Sequence, residues 1–371
     1  MSIEQDNTLS EALANKQLRP VLIASKRIAT EYTIFLRHLL AGLADESIAT
    51  TLVYPPDYEV DTIVSPSIEV VRYPAMKLPF VGHQNRQILV EQLKKFEPTV
   101  LHCLCENEAA LVRHLARQTN LPYILTVNSL QKRLGRFPVS PTRCAKIIAP
   151  AKSIGVNFGT IYPESAERIE QVNIGTFVDR KSMCFSRRNQ LVTMVMVHPL
   201  NDVREFEKSL GAMKRLSVEG YEFMLAIIGE GSAERQVRKR VGDIGLSQSI
   251  IIIPRIEPWH SVLAAGDVFI QPQPSNSFNP VVLEAMSTGT VAACAKGGVD
   301  DLVIDGQTGV LFEPDIELSI YQNLKQLLDR REWARQLAKA AQEYLKKNHS
   351  VSQMISSILS IYRATQDWPR K

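Results

Sequence analysis

Apolar positions along this chain fall into short continuous runs separated by longer amphipathic stretches. The runs at 20–24, 49–54, 68–72, 100–104, 123–127 and 146–149 predict buried strands. Between them, 31–43 sets Phe35, Leu36, Leu39, Leu40 and Leu43 on one helical face, and 84–96 and 108–117 also predict helices. A last short run at 172–174 would close this first set. The stretch 180–190 is polar, contains Arg187-Arg188, lacks periodicity and reads as a linker. A second set follows, with strands expected at 191–197, 223–228, 250–253, 268–271 and 291–294 and helices at 204–216, 233–244, 259–264 and 280–287. From 318 onward the pattern is helical. Its final part carries Met354, Ile355, Ile358, Leu359 and Tyr362 at helical spacing, a stripe that must be buried against something. Strand and helix alternation implies parallel sheets with crossover helices, so the expected fold class is α/β with two doubly wound, Rossmann-like domains, 1–179 and 191–349. The first 18 or so residues are polar and read as a loosely held lead-in.

The length agrees with two domains, because 371 residues exceed the size at which one core stops growing. With 45% hydrophobic and 22% charged residues there is apolar material for two cores. A net charge of +4 is mild: it allows a basic face toward an anionic ligand or lipid and gives no argument for nucleic acid. The five cysteines are odd in number and lack the paired spacing of a zinc site. With no secretory apolar region near the start, they point to a reducing cytoplasm. No apolar run approaches the roughly 18 residues of a spanning helix, so any membrane contact would be peripheral, at the inner face.

Chemistry concentrates in 271–315. This segment reads as a loop, a helix from Pro280, a short strand, a second helix entered through Gly297-Gly298, and a turn at Asp305-Gly306. Asn279 is a good N-cap and Pro280 suits the first helical position. Strand ends that feed helix N-termini hold phosphorylated ligands, because unpaired N–H groups and the helix dipole both favour negative charge. The segment therefore suggests a nucleotide or phosphate site.

Its layout resembles the donor-sugar signature of the retaining, two-domain (GT-B) glycosyltransferases of family four: P-S-x-x-E-x-F-G-x-x-x-x-E-A-M-A-x-G, then G-G-x-x-E, then D-G-x-T-G. The matching residues are Pro272, Phe278, Glu284-Ala285-Met286, Gly289, Gly297-Gly298, Asp301, Asp305-Gly306 and Thr308-Gly309. The resemblance covers most of the second domain and extends more weakly into the first. It implies a cleft between the domains, a C-terminal helix (350–366) that crosses back onto the first domain, and a nucleoside diphosphate sugar, UDP- or GDP-linked, as donor. It requires neither a metal nor a separate cofactor. The acceptor would be a glycan, a lipid-linked molecule or a small molecule.

By the same resemblance Glu284 holds the ribose hydroxyls, and the amides of Val281 and Val282 after Asn279 hold the diphosphate. Phe278 lies in the same loop, and Gly229 and Gly231 form the G-x-G turn beside the base, unless they are an ordinary strand-to-helix turn. Arg204 stands for the cation that stabilises the leaving phosphate. Asn276 replaces the family's first glutamate at the donor sugar, and Asn128 replaces a histidine near the reacting carbon.

Several departures stand out. Pro199 replaces an arginine, Pro280 lacks an N–H, and Asn128 cannot titrate near neutral pH. Two readings therefore remain: a transferase moving a hexose-type sugar with retention, or a catalytically weak or inactive relative acting as partner or regulator of an active enzyme. His102 either faces the ligand or is a core histidine. The stretch 131–146, with Lys132, Arg133, Arg136, Arg143 and Lys146 around Leu134 and Phe137, suits either contact with anionic lipid or a solvated loop.

Overall fold

The computed structural model describes residues 18–56, 66–73, 82–132, 137–179, 183–186, 191–254 and 259–368. The expected lead-in up to residue 17, most of the 180–190 linker, and Arg133, Leu134 and Arg136 of the basic stretch lie outside them. The chain divides into two compact units, one running up to Gly175 and resuming at Ser350, the other spanning Thr176–His349. That division falls a little before the expected boundary at 179.

The first unit contains β1 (Pro20–Ile23), α1 (Lys26–Glu31), α2 (Thr33–Asp45), β2 (Thr50–Tyr54), β3 (Ile68–Arg72), α3 (Gly82–Phe96) and β4 (Val100–Cys103). It continues with α4 (Ala109–Thr119), β5 (Tyr123–Thr126), β6 (Cys144–Ala149), α5 (Lys152–Ile161) and β7 (Ile169–Gln171). The sheet is parallel, in the order β3-β2-β1-β4-β5-β6-β7. Its central strands β1, β4 and β5 are buried at every position, as expected of strands covered on both faces.

Four local readings are corrected. The helix expected over 31–43 stands at Thr33–Asp45, but a short helix that was not expected precedes it: Ser25 caps α1 by accepting the Ile28 N–H at 3.3 Å, and Tyr32, fully buried, leaves the helical path at φ −118° and ψ 27° before α2 begins. β6 begins at Cys144, not at 146. Helix α5 was not anticipated, because two glycines and its β-branched residues lower helix propensity. It forms nonetheless, with Ile154 and Phe158 buried, and a Cβ on Gly159 would stand 3.2 Å from Ile169. The closing strand is β7 rather than 172–174, since Ile169 pairs with Ile147.

The second unit contains β8 (Val192–Val197), α6 (Arg204–Val218), β9 (Phe223–Ile228), α7 (Glu234–Asp243), β10 (Ile250–Ile253), α8 (Trp259–Ala264), β11 (Val268–Gln271) and α9 (Pro280–Ser287). It ends with β12 (Val291–Ala295), β13 (Gly309–Phe312), α10 (Glu317–Asp329) and α11 (Arg331–Asn348). Its parallel sheet runs β10-β9-β8-β11-β12-β13. Leu225, Ile227, Ile270, Phe206 and Met213 are among the residues at its core.

After Ser350 the chain returns to the first unit as α12 (Val351–Gln366), capped by the Ser350 side chain on the Gln353 N–H at 3.3 Å. Its stripe, Met354, Ile355, Ile358, Leu359 and Tyr362, is buried against α2, β4 and β6. Gly42 of α2 leaves room for it, since a Cβ there would overlap Ile355. Among the described residues no helix is long and apolar enough to cross a membrane.

Candidate functional site

In the second unit the strand order reverses between β8 and β11, so the crevice outside their carboxyl ends is a topological switch point, where open α/β sheets bind ligands. Four connections gather at these carboxyl ends: 198–203 after β8, 229–233 after β9, 272–279 after β11 and 296–308 after β12.

The third of these builds the helix start that the sequence predicted. Asn279, in extended conformation, accepts the Val281 N–H at 3.0 Å through Oδ1, while its Nδ2 donates to Gln271 Oε1 at 3.3 Å. One amide expected for a diphosphate is thus already capped by the protein. Phe278 and Val282 are each 2% exposed and anchor the turn in the core. Glu284 is 4% exposed, a carboxylate held inside a helix of otherwise apolar or small buried residues. Before the helix, Ser275 Oγ donates to the Ser277 carbonyl at 2.7 Å and accepts the Ser277 N–H at 3.2 Å. That tight turn leaves Asn276 exposed at its tip.

The second helix expected from Gly297-Gly298 does not form. Both glycines have positive φ, 98° and 71°, and a Cβ on Gly298 would overlap the Ser275 carbonyl. Gly298 makes a bridge with Ser275, and the Val299 N–H donates to the Ser275 carbonyl at 2.6 Å. Asp300 accepts the Gly297 N–H at 3.2 Å, and the chain continues in turns to β13. Backbone pairing to the loop after β11 has displaced the helix.

Gly229 and Gly231 have a packing explanation. A Cβ at Gly229 would overlap the His198 carbonyl, and one at Gly231 the Leu200 carbonyl. Leu200 N–H donates to the Glu230 carbonyl at 3.0 Å and Ala233 N–H to the Leu200 carbonyl at 2.8 Å, so the connections after β8 and β9 lie backbone to backbone. Arg204 is well exposed and turned onto Asp202, with Nη2–Oδ2 at 2.6 Å. His198 Nε2 pairs with Glu205 Oε2 at 3.0 Å, and its ring meets Phe206 edge-on. Gln273, which the sequence gave no reason to notice, donates to the Glu205 carbonyl at 2.8 Å and ties the loop after β11 to the start of α6.

Asn128 belongs to the first unit, and it is 1% exposed. Its Nδ2 donates to the Leu104 carbonyl at 2.7 Å and its N–H to Glu106 Oε2 at 2.9 Å, while Oδ1 has no partner. Glu106 also accepts from Ser129 Oγ and, at 3.3 Å, from Arg27. His102 is a core histidine: Nδ1 lies 2.7 Å from the Tyr362 hydroxyl and Nε2 2.8 Å from Thr126 Oγ1. Burial pulls its pKa down to about 3, so it stays neutral. All five cysteines are free and buried, and burial pushes the Cys294 thiol, beside the site, up to about 12.

Residues 185–344 match the family described as glycosyl transferases group 1. Over these residues the second unit is similar to the group 1 glycosyltransferases. The chain is 33% identical over 145 residues to the sulfoquinovosyl transferase SQD2 of Arabidopsis thaliana, covering 38% of this chain and 28% of that protein. It is 23% identical over 239 residues to the D-inositol 3-phosphate glycosyltransferase of Salinispora tropica, covering 62% and 48%. The chain thus matches between about a quarter and a half of the length of these curated relatives. Two solved structures have the same fold. A glycosyltransferase from Rickettsia africae matches with a TM-score of 0.76 at 14% identity, over 95% of this chain and 99% of that one. Anabaena HepE, solved in complex with UDP and glucose, matches with a TM-score of 0.74 at 13% identity, over 94% and 100%. The fold class is therefore that of the GT-B glycosyltransferases, with two parallel-sheet, Rossmann-like units.

Proposed function

We propose that the chain transfers a hexose-type sugar from a nucleoside diphosphate sugar, UDP- or GDP-linked, to an acceptor hydroxyl with retention of configuration. The observation that carries this reading is the buried Glu284 in a helix that opens at the switch point of a group 1 glycosyltransferase domain. An ionised carboxylate there can accept both ribose hydroxyls. The N-terminal turn of α9 favours a diphosphate through its dipole, and Arg204, released from Asp202, supplies the cation. Asn276 at the exposed loop tip takes the donor sugar. The solved HepE complex with UDP and glucose supports this choice of donor. Asn128 enters the proposal only through the backbone it fixes, because its side chain is committed to Leu104.

The second reading, a catalytically weak or inactive relative serving an active enzyme, is favoured by two observations: the cation is held by Asp202, and the position before Leu200 is Pro199. Thermal unfolding with UDP, GDP and ADP separates the cases. A ligand at about 100 times its dissociation constant stabilises by about 2.7 kcal/mol, so an intact site shifts the second unit's transition. A missing shift with every nucleotide sinks both the transfer and the donor assignment. Where a nucleotide binds, Glu284→Gln should weaken it about tenfold by removing a charged acceptor. Sugar-conjugate hydrolysis that fails to fall in Arg204→Ala would mean that the diphosphate assignment of Arg204 is wrong, while a wild type that binds nucleotide and shows no hydrolysis or transfer would favour the inactive reading.

A further inference from the structure

The carboxyl end of the first sheet has its own switch point, between β1 and β4, and an open basin lies there. Ser25 and Lys26 line it from the end of β1, Asn107 from the turn after β4, Arg86 from α3 and Arg113 from α4. Four cations face it, Lys26, Arg27, Arg86 and Arg113, against the carboxylates Glu31 and Glu108. The ion pairs divide these groups unequally. Arg27 is neutralised on two sides, by Glu31 at 3.0 Å and by Glu106 at 3.3 Å, so Glu31 is already taken. Arg86 and Arg113 make no ion pair among the described residues. Two guanidinium groups from different helices line this basin, and a guanidinium presents a fork geometry that matches the terminal oxygens of a phosphate better than a point charge would. The Asn107 side chain lines the same rim.

We propose that this basin binds a phosphate monoester carried by the acceptor, with Arg86 and Arg113 as its ligands. This rests on the transferase reading for the word acceptor, and on the basin alone for the phosphate. The two are tested separately, because nucleotide binding is read in the second unit. The full chain is titrated calorimetrically with glucose 6-phosphate, with glucose, and with a short-chain phosphatidic acid below its micelle concentration. Saturable binding of either phosphate ester, without binding of glucose, is expected; the ester that binds tells a soluble acceptor from a lipid one. Arg86→Gln and Arg113→Gln should each weaken that binding about tenfold, the usual effect of losing one charge-assisted hydrogen bond. Arg117→Gln, on the same helix as Arg113 but outside the basin, should leave it unchanged. Absence of binding by both esters, or equal affinity in wild type and the Arg86→Gln, Arg113→Gln double variant, overturns the proposal. If the esters bind as expected while no nucleotide shifts the second unit, the basin assignment stands and the transferase reading falls.

Discussion

His102 shows how a residue with catalytic chemistry is taken out of use by its surroundings. Both ring nitrogens are committed, to Tyr362 and Thr126, and burial holds the ring neutral down to a pH of about 3. Its folded pKa lies below the unfolded value of 6.5, so its contribution to stability is fully present above pH 6.5 and is lost as pH falls from there toward 3. Denaturant midpoints measured between pH 7 and pH 4 should therefore fall more steeply in wild type than in His102→Gln, which cannot titrate; parallel curves would refute this. The residues proposed for the donor follow the same logic. The Asn279 cap was legible because a capping side chain stands directly before a proline at the first helical position. The pairing of Arg204 with Asp202 was not legible, because two charges two residues apart at a helix start carry no signal of which way either turns. Glu106 was missed for a similar reason: its partners Asn128, Ser129 and Arg27 come from three separate stretches of chain.

Elements were legible where the apolar period decided them and illegible where backbone geometry did. The apolar runs Phe223–Ile228, Ile250–Ile253 and Val268–Gln271 and the helix Pro280–Ser287 stand at the expected residues. Helix α5 escaped notice because its stability comes from Ile154 and Phe158 packing against the sheet, not from propensity. The helix expected after Gly297-Gly298 failed for the opposite reason: backbone pairing with Ser275 requires positive φ at two successive residues. The Gly229 and Gly231 turn makes this testable. Gly231→Ala would force the loop after β9 away from the Leu200 carbonyl, and overpacking against backbone typically costs 1–3 kcal/mol, so about 2 kcal/mol is expected. The loss should appear in urea unfolding without any nucleotide present. A variant of unchanged stability that only bound nucleotide less well would show that the glycine serves the ligand and not the packing.

At the scale of the molecule, the last helix decides how the chain is partitioned. The second unit ends at His349, where the Thr176 N–H donates to its carbonyl at 2.8 Å, and the first unit resumes at Ser350. The two chain passages are packed tightly on the first-unit side as well: a Cβ on Gly175 would stand 2.6 Å from Val351 Cα, and the Gly175 N–H points at Met354 Sδ at 3.2 Å. Helix α12 is thus late in sequence but integral to the first core, with Ile358 2% exposed among residues of that unit. The amphipathic stripe made the need for burial legible, though not the surface that meets it, since nothing local in Gly42 or His102 announces a partner more than two hundred residues away. Ile358→Asp places an uncompensated charge in that core, a change that falls in the severe class of about 4 kcal/mol or more. Its effect should be confined to the first unit. Calorimetry of the full chain should show one transition moved down, while the transition shifted by UDP keeps its position. If both transitions move together, α12 is not the first unit's own element and the partition at His349 is wrong.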